Sequence, residues 1–167
     1  QDMADLYLAT AERYEHSAIF VHPNPDNDDE CLRLIEIIRR KTGDRYFLMK
    51  HGDVTYDIPE GDRLLDFCRR LKGDPQGLKD EMERAVEEQL RRAEILRRSG
   101  GLDGFALCSD YCFNTGPFLR PEMFAEFVAP FLKQLVAGYR RLGFYAIKHT
   151  DGNIMPILPY LLDANPH

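Results

Sequence analysis

A short apolar run followed by a helical stretch recurs four times along this chain, and that recurrence limits the fold more than any other feature. The runs are Ser17-Ala-Ile-Phe-Val-His22, Arg45-Tyr-Phe-Leu-Met-Lys50, Gly104-Phe-Ala-Leu-Cys-Ser109 and Phe144-Tyr-Ala-Ile-Lys148. Each is short for a helix and has the length and apolar content of a buried strand. Strands that alternate with helices pair in parallel through right-handed crossovers. The fold class is therefore α/β, with parallel strands in about four consecutive β/α units. No internal sequence repeat or flexible linker divides residues 1–167, so they read as a single domain or one piece of a domain.

The stretches between the runs carry helical periodicity. Met3, Leu6, Tyr7, Thr10 and Tyr14 predict a helix over residues 2–15, and Pro23 with Pro25 stops the strand that follows it. Asp28 or Asp29 is placed to cap the next helix, whose stripe is Leu32, Ile35 and Ile38 and whose basic end is Arg39-Arg-Lys41. Leu64, Leu65, Cys68 and Leu71 predict a short helix ending at Gly73. Asp74-Pro75 then restarts the chain with an acidic cap and a proline at the first helical position. Leu78, Met82, Val86, Leu90, Ala93 and Leu96 give that long helix one apolar face. Residues 110–116 read as a polar loop. Pro121 opens a helix marked by Phe124, Phe127, Val128, Phe131, Leu132, Leu135 and Tyr139, with Pro130 predicting a kink or two abutting helices. A last short helix covers residues 154–162.

Composition narrows the possible partners. A net charge of −6 argues against broad nucleic-acid binding. No apolar run reaches the length of a membrane span. The four cysteines have no disulfide-framework spacing, which makes a reducing, cytoplasmic setting the expectation.

All four apolar runs finish in polar or ionisable residues: His22, Lys50 with His51, Ser109 with Asp110, and His149 with Asp151. Parallel α/β folds bind ligands along the edge where the carboxyl ends of the strands gather. His149 and Asp151 stand two apart, so in extended chain they share a face. As a pair they suit acid–base work or a divalent metal; a hydrogen-bonded pair that only fixes the loop is the plainer alternative. Cys108-x-x-x-Cys112 suggests a metal pair, but Cys108 sits where a strand wants a small apolar side chain and reads as a buried, inert thiol. Cys31 and Cys68 read as helix packing residues. The chain has no phosphate-binding glycine fingerprint, His-Glu-x-x-His helix or Gly-x-Ser-x-Gly elbow.

Three stretches carry a family resemblance. They are Gly116-Pro-Phe-Leu-Arg-Pro-Glu-Met-Phe124, Phe127-Val-Ala-Pro-Phe-Leu132 and His149-Thr-Asp-Gly-Asn153. Over residues 102–163 the chain resembles the uroporphyrinogen decarboxylase superfamily, which also contains methylcorrinoid-dependent methyltransferases; residues 1–60 match more loosely. The resemblance implies a (β/α)8 TIM barrel of eight strands and typically about 250 residues. Residues 1–167 would then form a partial barrel with flanking strands missing at both ends. Expressed alone, such a piece is expected to self-associate through its unpaired edges, and a cooperative monomer in sedimentation would contradict this.

The resemblance also implies activity. The foremost expectation is an enzyme acting on a tetrapyrrole-linked substrate by methyl transfer, with a methylcorrinoid as co-substrate and a corrinoid protein as a candidate partner. Catalytic roles fall to His149, Asp151 and Asp110, and substrate contacts to Asn114, Asn153, Lys50, Arg120 and His22. The thiol-directed methyltransferases of the family bind zinc through a His-x-Cys motif at this place. This chain keeps His149 and has Asp151 at the cysteine position, so the implied zinc ligands are His149 and Asp151. The alternative is cofactor-free decarboxylation of uroporphyrinogen acetate groups. His22 stands where that branch carries a substrate-binding aspartate, which weighs against it. A second alternative is a non-enzymatic, flavodoxin-like binding module with helices on both faces of its sheet.

Overall fold

A computed structural model describes residues 2–22 and 28–167. In chain order, α1 (Asp2–Arg13) leads to β1 (Ala18–Phe20), α2 (Asp28–Thr42) and β2 (Phe47–His51). Next come α3 (Asp62–Gly73), α4 (Pro75–Ser99), β3 (Gly104–Leu107) and a hairpin of β4 (Cys112–Phe113) and β5 (Gly116–Pro117). The chain ends with α5 (Pro121–Phe127), α6 (Ala129–Arg141), β6 (Tyr145–Lys148) and α7 (Leu158–Asp163). Pro23 and Pro25, the expected stop of the first strand, lie outside the described residues.

The four long strands form one parallel sheet in the order β1-β2-β3-β6. Ile19 pairs with Leu48, Lys50 with Phe105, and Phe105 with Ala146, so these residues share one face of the sheet. That face is the core. Phe105 stacks on Tyr139 of α6 with ring centroids 4.1 Å apart. The Tyr139 hydroxyl donates to the Gly52 carbonyl (2.6 Å) and accepts from Gln89 of α4 (2.9 Å), so the buried phenol has partners on both sides. Ile35 and Ile38 of α2 and Leu96 of α4 are buried in the same core.

On the opposite face Phe20, Met49 and Ile147 are half-buried and Tyr145 is exposed. Phe47 and Tyr145 meet edge-on there at 5.5 Å, directly over Gly104. A Cβ at Gly104 would lie 2.6 Å from the Tyr145 carbonyl oxygen and 3.0 Å from the Phe47 ring, so only glycine fits beneath them. With α2, α4 and α6 packed on the other face, the sheet consists of four consecutive β/α units of barrel type, not a doubly wound sheet.

Local chemistry explains the element ends. The Asp74 carboxylate accepts from the Gly77 amide at 3.0 Å, and Pro75 occupies the first turn of α4, as expected. The helix at Pro121 breaks at Val128 (φ −125°) into α5 and α6, because Pro130 cannot donate. Asp28 and Asp29 stand inside the first turn of α2 and not ahead of it. The stretch 110–116, expected to be an irregular loop, contains the β4–β5 hairpin, closed further by the bond from the Phe118 amide to the Tyr111 carbonyl (2.9 Å).

Two apolar stripes face differently from expectation. In α1 the buried residues are Ala4 and Ala11, while Met3 and Leu6 are 46% and 63% exposed. They line an open groove of about 540 Å³ beside β1, with Phe20 and Met49 on its other wall. In α3 the buried residue is Phe67, and both Leu65 and Cys68 are exposed, so Cys68 is not a packing residue. Among the described residues no helix is long and apolar enough to cross a membrane.

A candidate cation site at the carboxyl ends of the strands

Parallel pairing puts the ends of β2, β3 and β6 side by side. The His149 amide donates to the Leu107 carbonyl at 2.9 Å, which carries the ladder one residue past β6 and places the imidazole at the rim. Asp110 lies three residues beyond β3. Its side chain accepts from the Asp151 amide at 2.8 Å, and its carbonyl accepts from the Ile58 amide at 3.0 Å. His149 Nε2 and Asp151 Oδ1 are 3.8 Å apart. One ligand atom from each of Asp110, His149 and Asp151 falls within a sphere of mutual distances no longer than 4.8 Å. The three residues named for catalysis are thus brought together.

The loop that carries them is clamped to the β4–β5 hairpin. Gly152 adopts φ +83°, and a Cβ there would meet the Cys112 carbonyl oxygen at 2.4 Å. Any other residue would be strained in both backbone and contact. The Asn153 amide donates to the Phe113 carbonyl (2.9 Å), and Thr150 Oγ1 accepts from the Tyr111 amide (3.3 Å). A cleft of about 790 Å³ opens beside Asp110, walled by Ile58, Leu64, Phe113 and Phe118 and floored in part by Cys108. Cys108 therefore faces the cleft instead of packing inside the strand layer. Burial pushes the thiols of Cys108 and Cys112 above their ordinary value, which keeps both protonated near neutrality.

The remaining expected contacts are dispersed. Asn153 is exposed and its side chain accepts from the Met155 amide at 3.3 Å, shaping the turn. Asn114 is exposed in the hairpin turn, and Arg120 is exposed just ahead of α5. His22 is exposed, with its backbone amide and carbonyl both bonded to the Tyr7 hydroxyl at 2.9 Å. Lys50 does not reach the rim. Strand alternation turns it to the helix side, where it is buried beside Cys31, Leu32, Arg92 and Leu96.

Behind the rim lies a polar cluster absent from the sequence reading. Lys148 and Asp53 form a buried ion pair at 2.9 Å, their side chains 6% and 0% exposed. Burial would raise the Asp53 carboxyl. The Lys148 ammonium, with hydrogen bonds from Lys148 and Thr55, brings it below its ordinary value instead. Burial lowers the Lys148 ammonium, with Asp53 opposing that shift. His51 is lowered too, first by burial and further by His22, Lys50 and Lys148, while Asp53 works against them. Its imidazole is accordingly expected to titrate below 6.5 and to be neutral at pH 7. Proton NMR of the His51 ring against pH checks this, and a midpoint at or above 6.5 contradicts it.

No family model matches the sequence, and no curated protein does. A solved structure does match: a methyltransferase from Methanosarcina mazei superposes with a TM-score of 0.73 at 19% identity, covering 97% of this chain and 59% of that one. The chain thus spans 59% of the length of that structure, and the likeness establishes the fold.

Proposed function

We propose that this chain forms the substrate-facing part of a methyl-transfer enzyme that takes the methyl group of a tetrapyrrole-linked donor, a methylcorrinoid, and passes it to a thiol-like acceptor. The observation that carries this reading is the convergence of Asp110, His149 and Asp151 at the strand ends, in a fold shared with a methyltransferase. The donor set suits a divalent ion: one imidazole nitrogen and two carboxylate oxygens are borderline-to-hard ligands compatible with zinc. The donors of one tetrahedral ion sit roughly 3–3.5 Å apart. The side chains of His149 and Asp151 are 60% and 77% exposed, leaving them free to close the remaining gap. A zinc ion held by these residues would supply Lewis acidity that favours the deprotonated acceptor.

The chain's own residues do the rest. Asp110, tied by its carbonyl to Ile58, orients its carboxylate toward the His149–Asp151 loop. Phe113 and Phe118 wall the cleft and shield a bound acceptor from water on that side. Without a metal, His149 is the base that takes the acceptor's proton, and Asp151 at 3.8 Å stabilises the imidazolium. The acceptor's lone pair then forms the bond to the methyl carbon as the methyl–cobalt bond breaks and its electron pair stays on the corrinoid. We further propose that additional strands complete the barrel, the apolar groove between α1 and β1 being where the sheet continues. The experiment is an assay of the intact protein with methylcobalamin, zinc and a panel of small thiols, followed by the corrinoid absorbance. Protein-dependent demethylation is expected. Its absence with every thiol, beside an active positive-control enzyme, would overturn the reading.

A further inference from the structure

The Lys148–Asp53 pair is buried and hydrogen-bonded on every side. Lys148 Nζ donates to Asp53 Oδ2 (2.9 Å), to the Ser109 carbonyl (2.9 Å) and to the Leu107 carbonyl (3.1 Å), which uses all three of its protons. Asp53 Oδ2 also accepts from the Ser109 amide at 3.1 Å. Its other oxygen accepts from the Thr55 amide (3.0 Å) and hydroxyl (2.7 Å). Thr55 is in turn 2.7 Å from the Tyr111 hydroxyl, and Ser109 Oγ donates to the Thr55 carbonyl at 3.1 Å. The ammonium lies 4.2 Å from the centre of the Tyr111 ring.

The sequence positions of these contacts give the cluster its meaning. Ser109 and Tyr111 flank Asp110, and Lys148 immediately precedes His149. The cluster therefore grips both neighbours of one rim residue and the residue before another. A buried ion pair of this kind adds little net stability over a well-packed apolar pair, because desolvation offsets the attraction. What it adds is fixed geometry. We propose that Lys148 and Asp53 are positioning residues for the Asp110–His149–Asp151 site, locking the ends of β2, β3 and β6 so that the three rim side chains converge on one cation. The proposal rests on the cation-site reading above.

The test is calorimetric titration of the intact, metal-free protein with Zn²⁺ alone, comparing the wild type with D53N/K148M, which removes both charges together. Positioning predicts a 10- to 100-fold weaker Zn²⁺ affinity while the circular dichroism spectrum is retained, the range typical for loss of groups that orient metal ligands. Affinity within twofold of wild type overturns the proposal and leaves the cation site intact. Should D53N/K148M fail to fold, Thr55→Val is used. It keeps the ion pair, removes the hydroxyl link between Asp53 and Tyr111, and is expected to weaken Zn²⁺ several-fold, with unchanged affinity again the overturning result. Absence of Zn²⁺ binding by the wild type removes the cation-site reading and this proposal together. His149 ring NMR in the metal-free protein gives a readout independent of the ion: positioning predicts that its signal broadens or splits in D53N/K148M, whereas a purely structural pair leaves it unchanged.

Discussion

Replacing His149 with alanine is expected to lower methyl transfer by about 10²- to 10⁴-fold, the usual worth of a positioned acid–base group. Zn²⁺ affinity is expected to fall in parallel. His149 supplies the nitrogen donor of the rim cluster, and the two carboxylates that remain repel each other when no cation or imidazolium lies between them. The fold is expected to survive. The side chain is 60% exposed, and the bond that ties this residue into the ladder comes from its backbone amide. Surface changes of this kind shift stability by about 0.5 kcal/mol or less. Thermal denaturation beside the transfer assay separates the two effects, and an unchanged turnover with an unchanged melting point would remove His149 from the mechanism.

Lys148→Met should have the opposite profile, a large loss of stability. It strips the partner from a carboxylate that is 0% exposed, and breaking a buried pair from one side costs about 3–5 kcal/mol. The companion D53N/K148M leaves no charge behind and is expected to recover most of that loss. The two single changes are therefore strongly non-additive. Urea denaturation of the four proteins in this cycle measures the coupling. Additive behaviour would mean that water reaches Asp53 and that the pair is not closed off as described.

How much of this was legible in the sequence depends on how far each feature reaches along the chain. The parallel pairing of the strands follows from the strand–helix alternation, and the apolar face of α4 follows from a spacing sustained over about five turns of helix, from Leu78 to Leu96. The break at Val128 was readable because Pro130 removes a donor whatever surrounds it. His149 and Asp151 were found by closeness in sequence, and Asp110 by its place after a strand. The β4–β5 hairpin was missed because strands of two residues carry no periodicity. The stripe of α1 announced a helix without saying what covers it, and the buried side turned out to be Ala4 and Ala11.

Lysine was the most instructive case. Lys50 and Lys148 both end apolar strands, and only the first was singled out. Alternation alone puts each on the helix side, Lys50 with Leu48 and Lys148 with Ala146. What separates them is Asp53, which reaches Lys148 from a different strand end. No local pattern announces a partner 95 positions away.

That distance has a consequence for the way the protein comes into being. The carboxylate of Asp53 belongs to the first third of the chain and its ammonium to the last part. As the polypeptide leaves the ribosome, β1, β2 and β3 are available long before β6, and contacts of such separation form late. Until β6 arrives, Asp53 must stay hydrated or protonated, so the wall beneath the rim cannot close around it. Docking of β6 delivers Lys148 and His149 in the same movement. Completion of the polar interior and arrival of His149 at the rim are therefore one event, and a nascent chain halted before Tyr145 would hold neither.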